Sequence, residues 1–507
     1  QELGLDLRWG SDKSNDMIIR RYPEATKLVI DNSITRIGKN SFFSCMNLKT
    51  IYIPEGVTEI CDGAFRQCIS LSSINIPEGV TNIADSAFEG CRSLSSINLP
   101  NGLVEIGSFT FSGCSNLSDI TIPEGVTSIG YEAFKECSSL ISVEIPVSVT
   151  NIREGAFGGC ENLTSIKVAD GNTVYDSRKD CNAIIETETN KLIQGCKNTK
   201  IPNSVTKIGE DAFNSCRGLE SLEIPDSVIS IGRAAFYECS SLSSIEIPVG
   251  VTSIVSDTFA NCKKLCDISL PQGLKDIGES AFYACWNIES INIPEGLEEI
   301  GSKVFGNCIR LKYLYIPKTV QTIEGSSYDK SPFVGCDRQL TVYCELETKP
   351  SGWGYYWNNY YRSNRLCTNF GYTKQDFEFW SSLESAEEVD IPEKYTQIPN
   401  GAFCGNHNLK SVTIPNSITE IGEYAFYSYE NLNNIIISEN ITSIGKCAFH
   451  TCRSLKYIYI PNSVIKIDAG GPDYSPFEYC GNNFVIYCED EFKQKGWGYY
   501  WNYYGSD

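Results

Sequence analysis

Apolar and polar positions along this chain recur in a short pattern with almost no drift. In residues 71–93, LSSINIPEGVTNIADSAFEGCRS, Ile74 and Ile76 alternate with Ser73 and Asn75. One face of that segment is apolar and the other polar, which predicts a short strand. Pro77 closes it, because proline has no N–H to give to a ladder. Val80 and Ile83 aim a second extended segment at the same core. Ala87, Phe88 and Cys91 point inward from what the spacing predicts is a single helical or 3-10 turn. Phe42, Phe65, Phe88, Phe111, Phe134 and Phe157 lie 23 residues apart, as do Phe213, Phe236, Phe259, Phe282 and Phe305. Each is followed three residues later by a cysteine, from Cys45 to Cys160 and from Cys216 to Cys308. A proline stands eleven residues before most of them, as at Pro54, Pro77, Pro202 and Pro294. One such unit cannot bury its own apolar side, but stacked units can. The pattern therefore predicts a β-rich repeat solenoid with a period of 23 residues and ladders of like side chains.

These units, SLSSINIPEGVTNI..SAFEGC and copies such as SLSSIEIPVGVTSI..DTFANC at 241–262, resemble the BspA-like leucine-rich repeats of bacterial and protozoan surface proteins. The resemblance spans nearly the whole chain. It implies a leucine-rich repeat fold and a secreted or cell-surface protein that binds other macromolecules, often as an adhesin. Local departures are Asp31 and Ser438 at the corner proline, and Asn406 and Tyr429 at the cysteine column.

The period breaks in places that predict two arrays. Phe157 to Phe213 is a step of 56 residues, and its extra length includes CNAIIETETNKLIQGC at 181–196. That stretch predicts a β-hairpin turning near Glu188 and Thr189, with Ile184 facing Ile193, inside a continuous stack. Steps of 28 residues follow Phe305 and Phe449, and Phe305–Tyr360 aligns without gaps on Phe449–Tyr504 at an offset of 144. Both copies end in an aromatic block, GWGYYWNNYY at 352–361 and GWGYYWNYYG at 496–505. The expected layout is an N-terminal cap (1–30) and array one with its insert at 168–200 and its aromatic cap (31–361). A connector that caps array two (362–388) and array two with its own cap (389–507) follow.

Composition changes this picture little. The net charge of −21 disfavours nucleic acid and anionic membrane surfaces as partners. No apolar stretch approaches the roughly 18 residues of a membrane span, so no membrane insertion is expected. Fourteen of the 23 cysteines share one repeat position, where parallel stacking disfavours the disulfide torsion. A buried thiol column is expected there. Cys181 with Cys196, Cys336 with Cys344 and Cys480 with Cys488 are the disulfide candidates. There is no C-x-x-C pair and the only histidines are His407 and His450, so neither a metal nor any other cofactor is expected. The same scarcity leaves little room for Ser-His-Asp or Cys-His catalysis, and GxSxG, P-loop and GxGxxG motifs are absent. Glu144, Glu223 and Glu246 recur at one outward position, as a solvated face would have them. Asp12, Ser14 and Asp16 alternate as in a calcium loop, but without its glycine or distal glutamate. Asn116, Asn162 and Asn440 head N-x-S/T triplets.

The outward strand face is small and polar through most of array one, then turns aromatic at Tyr313 and Tyr315, and again at Tyr457 and Tyr459. Exposed rings suit protein or glycan contact. The candidate ligand-binding residues are these four with Trp353, Tyr355, Trp357, Trp497, Tyr499 and Trp501 of the aromatic blocks. For the tryptophans, a core inside the cap competes with that reading. The expected function is non-catalytic adhesion to an extracellular protein or glycan on a host or neighbouring cell. Self-assembly of copies into a filament or coat, as a homo-oligomer, is the first alternative, and a carbohydrate-active enzyme the second.

Overall fold

The computed structural model describes residues 3–4, 24–361, 364–404, 406–429, 431–469, 471, 474–481, 483–489 and 494–502. The Asp12–Asp16 loop and most of the expected N-terminal cap lie outside them. The chain divides into two compact units, Gln1–Ile288 with Glu299–Cys308, and Glu289–Glu298 with Ile309–Asp507.

In the first unit the apolar alternation builds parallel ladders. Arg36–Ile37, Glu59–Ile60, Asn82–Ile83, Glu105–Ile106, Ser128–Ile129 and Asn151–Ile152 form one six-stranded sheet. Each pairs with its neighbour one period away, so Ile37 meets Ile60 and Ile129 meets Ile152. The isoleucines are buried, and their strand partners face outward or sit at the margin. Behind them the phenylalanines stack face to face, with ring centroids 5.2 Å apart for Phe42–Phe65 and 5.1 Å for Phe134–Phe157. That spacing slightly exceeds the roughly 4.8 Å between paired strands.

The segment around each phenylalanine departs from the expected helical turn. It is a run of overlapping turns in which residues two before and two after the ring adopt left-handed backbone. Around Phe88 these are Ser86 (φ 56°) and Gly90 (φ 73°), and around Phe259 they are Asp257 (φ 59°) and Asn261 (φ 64°). The alternation turns every second N–H along the stack. Ser86, Phe88 and Gly90 donate to Ser108, Thr110 and Ser112 of the following coil at 2.8, 2.9 and 2.7 Å. A helix would return those N–H groups to its own coil and leave this flank unpaired. On the strand flank the donors run the other way, with Thr81 giving to Thr58 and Ala84 to Ile60 of the preceding coil.

The cysteine column is buried except at its first member, the half-buried Cys45, and its thiols have a second task. Cys91 Sγ donates to the Phe65 carbonyl at 3.1 Å, Cys137 to Phe111 at 3.3 Å and Cys262 to Phe236 at 3.1 Å. The structure bridges none of the 23 cysteines, the candidate pairs Cys181 with Cys196, Cys336 with Cys344 and Cys480 with Cys488 included. Cys181 and Cys196 instead turn to the carbonyls of Ala183 and Asn182. Cys480 sits in the thiol column with its Sγ on the Phe449 carbonyl at 3.3 Å, and Cys336 holds the matching position three residues after Phe333. Cys344 and Cys488 are the last residues of the strands Thr341–Cys344 and Val485–Cys488. Each candidate pair in the terminators thus divides its members between two ladders.

The insert is the predicted hairpin with a different register. Ala183–Glu186 pairs antiparallel with Lys191–Gly195, and a bulge sets Ile184 opposite Gln194 rather than Ile193. Lys191–Leu192 then pairs parallel with Lys207–Ile208, so the stack continues past it.

In the second unit, Ser290–Ile291, Tyr313–Ile316, Thr341–Cys344 and Cys367–Phe370 form a four-stranded sheet. The connector therefore begins as a further strand of array one. It then turns into a helix, Lys374–Ser382, closed at its start by a capping box between Thr373 and Asp376. After it, Gln397–Ile398, Glu420–Ile421, Ser443–Ile444, Lys466–Ile467 and Gly496–Trp497 make a five-stranded parallel sheet. Phe403, Phe426, Phe449 and Phe477 stack behind it.

Candidate functional site

The two aromatic blocks fold alike. Trp353 donates its indole N–H to the Val320 carbonyl at 3.1 Å, and Trp497 to Val464 at 2.9 Å. Trp357 meets Trp353 edge-on at 4.6 Å, and Trp501 meets Trp497 at 4.5 Å. Trp353, Trp357 and Trp497 are buried and Trp501 is half-buried, so these rings are cap core rather than ligand platform. Tyr355 and Tyr499 remain exposed, each crossed by the next tyrosine.

Tyr313 and Tyr315 occupy outward strand positions, as expected, but they are not exposed. Only 7% and 3% of their surfaces reach solvent. The connector helix lies on them. Phe377 sits 5.5 Å from the Tyr315 ring and 5.7 Å from Tyr343, and Tyr372 covers Tyr343 from the side at 5.5 Å. Lys312 pairs with Glu384 just past the helix end. Burial pushes the Tyr313 and Tyr315 hydroxyls well above the ordinary phenol value. The helix has a second face, where Phe379 and Trp380 pack on Tyr395 and Trp380 on Phe403 of array two. One helix thus caps array two and covers the end of array one, which removes Tyr313 and Tyr315 from any ligand.

The same positions in array two are open. Tyr457 and Tyr459 are each 45% exposed, and Tyr487, paired opposite Tyr459, is 55% exposed. Tyr487 meets Tyr457 edge-on at 6.3 Å. Ile436 and Val485 extend this face, with Ile436 one coil before Tyr459 and Val485 opposite Tyr457. Tyr487, Ile436 and Val485 are readable from the alternation in NIII (434–437) and FVIYC (484–488) against the aligned strands, but they lie outside the Tyr-x-Tyr pairs.

The turn flank of array two carries a different feature, which the repeat pattern did not announce. A cavity of about 550 Å³ is lined by Arg338, Arg365 and Lys446 with Glu423, and walled by Tyr424, Tyr427 and His450. Arg338 lies 4.7 Å over the Tyr427 ring, and Tyr427 stacks on His450 at 5.1 Å. Lys446 is held by Glu423 at 2.9 Å, and His450 Nε2 lies 3.3 Å from the buried Glu478 carboxylate. Burial pushes the Cys404 and Cys447 thiols in its wall up to about 12, so neither is a thiolate at neutral pH. Cys404, Tyr427 and His450 all follow a column phenylalanine directly, which is the one signal in the sequence that groups them. Elsewhere outward charges pair along the stack, as Lys167 does with Glu144 at 3.1 Å, which accounts for Glu144 without chemistry.

Among the described residues no group of three or more His, Cys, Asp or Glu is placed to hold a metal ion, and no helix is long and apolar enough to cross a membrane.

A family model described as a BspA type leucine rich repeat region, in six copies, matches residues 20–112, 81–205, 206–334 and 375–488. No curated protein matches the chain. A leucine rich cell surface protein from Faecalibacterium prausnitzii A2-165 is 27% identical, with 70% of this chain and 81% of that chain covered and a TM-score of 0.48. A leucine-rich repeat protein from Eubacterium ventriosum ATCC 27560 is 24% identical, with coverage of 60% and 82% and a TM-score of 0.45. The pneumococcal vaccine antigen PcpA is 20% identical, with coverage of 68% and 90% and a TM-score of 0.50, a likeness of fold.

Proposed function

The chain belongs to the BspA-type leucine-rich repeat family, and on that premise we propose that it is a secreted or surface-displayed adhesion protein. It binds an extracellular protein or glycan and catalyses nothing. The observation that supports this most is the open face of Tyr457, Tyr459 and Tyr487, flanked by Ile436 and Val485. Rings fixed on a parallel ladder lose little entropy on contact and offer both apolar area and hydroxyl edges. The outward strand face before them is small and polar, so the patch is local.

The test is an array of glycans and matrix proteins probed with the whole chain and with a Tyr457→Ser/Tyr459→Ser/Tyr487→Ser variant. A saturable hit that weakens at least about tenfold in the variant supports the reading, as loss of aromatic anchors should. Because these side chains are exposed, the melting temperature should hold. A hit that ignores the substitutions, or none on any probe, refutes it. Conversion of a bound glycan to product would refute its non-catalytic part.

A further inference from the structure

Residues 312–345 and 456–489 are two copies of one surface at the offset of 144. Tyr313, Tyr315 and Tyr343 correspond to Tyr457, Tyr459 and Tyr487, Lys312 to Lys456, and Glu345 to Glu489. The backbone register is the same, with Tyr315 opposite Tyr343 and Tyr459 opposite Tyr487. In the first copy the structure shows what such a surface receives. Phe377 of the helix Lys374–Ser382 sits against Tyr315 and Tyr343, and seven residues later Glu384 reaches Lys312. Glu384 lies in the 3-10 turn Leu383–Ser385 that follows the helix, and its contact with Lys312 beside the Phe377 contacts brings the ring and the carboxylate to the same strand face. In the second copy the three rings are exposed, and Lys456 is exposed with no ion pair among the described residues.

We propose that the Tyr457/Tyr459/Tyr487 face docks an amphipathic helix of a second polypeptide, one that presents a phenylalanine to the rings and a carboxylate seven residues on to Lys456. The helix Lys374–Ser382 of the same chain is not that partner, because its other face is already spent on Tyr395 and Phe403. The proposal rests on the binding reading above and narrows its partner from protein or glycan to a helical protein segment. An aromatic knob among rings with a charge pair at the rim also sets orientation, since reversing the helix would leave Lys456 unpaired.

The probe is a fluorescein-labelled peptide with the sequence of residues 371–386, titrated with the whole chain. Free peptides of this length are poorly helical. A second arm therefore fuses residues 364–386 after Asp507, where they fall at the offset of 144, and follows hydrogen exchange in the strand Tyr457–Ile460. We expect saturable binding that weakens at least about tenfold with Tyr457→Ser/Tyr459→Ser or with Phe377→Ala in the peptide. Lys456→Glu should weaken it, and Glu384→Lys in the peptide should restore it, an effect that general stickiness cannot give. In the fusion the strand should gain protection. Failure of both arms, or binding indifferent to these substitutions, overturns the proposal. A glycan hit that needs the tyrosines would then leave the broader binding reading standing, whereas array hits that ignore the tyrosines, with no peptide binding, would refute both.

Discussion

Gly113 sits two residues after Phe111 at φ 73°, in the left-handed backbone that each coil needs at this position. Most coils put a side-chain residue there, as at Gln67, Glu136 and Glu238. A Cβ on Gly113 would meet nothing closer than the Gly90 Cα at 3.5 Å, so only the backbone preference is at stake. Gly113→Ala should therefore lower stability by about 1–2 kcal/mol, and Gly113→Asn by less, read as denaturation midpoints. Gly130 is a different case, because a Cβ there would lie 2.5 Å from the Ser108 nitrogen of the preceding coil. The sequence marks phenylalanine and cysteine positions clearly, but it could not mark the left-handed sites, since Ser, Gln, Glu, Asn and Gly all fill them. Asn406 is a departure that geometry explains. It holds the cysteine position in the first coil of array two, where the carbonyls within reach belong to the connector. Its amide donates to Leu383 and Ala386 at 2.7 and 3.1 Å, and its oxygen accepts from Asn408 and Leu409. Tyr429, the other departure, is fully buried edge-on to Phe426.

Among elements the connector helix carries the most consequence. Burial works against the Asp376 carboxylate, but bonds from Thr373 and Lys394 outweigh it and hold the group below its usual 3.8. Since the folded value is depressed, the stabilisation is whole above the ordinary carboxylate range and vanishes as pH falls through the lowered value. The helix should thus loosen below about pH 4. Hydrogen exchange in Tyr313–Ile316 should then rise before that in the Phe-stacked coils. Thr373→Ala removes the N-cap and should cost roughly 1 kcal/mol, with the same local signature at neutral pH. The spacing makes residues 362–388 a connector that caps array two, and Phe377, Phe379, Trp380 and Leu383 are its large apolar residues. What no local pattern conveyed is that the cap has two faces. Phe377 points to the array behind and Trp380 to the array ahead, and this decides which tyrosine pair is open.

For the whole molecule, a stack with none of its 23 cysteines bridged is held by packing, hydrogen bonds and ion pairs between coils. All 23 should react with a thiol reagent in denaturant without prior reduction, and a reductant should leave the melting temperature unchanged. Fewer reactive thiols would show a bridge. The repeat, its interruptions and the duplicated terminator were legible because each reads as a spacing. The cavity beside His450 was not, because its walls come from separate coils and from the terminator around Arg338 and Arg365, which only the folded chain brings together.

The opposed directions of hydrogen bonding in each coil have an electrical result. On the phenylalanine flank alternate peptide N–H groups point toward later coils, and at the ends of the isoleucine strands donors such as Thr81 and Ala84 point toward the earlier one. Helical peptide dipoles add along their axis and concentrate partial charge at the ends. Here these two sets of donors oppose one another, so their dipoles do not add along the stack as they do in a helix. An end coil instead exposes donors on one flank and acceptors on the other, and a closing segment must answer both. The terminator of array one does so, with Gly335 donating to Tyr360 on one flank while Tyr356 donates to Gly325 and Glu345 to Ile316 on the others.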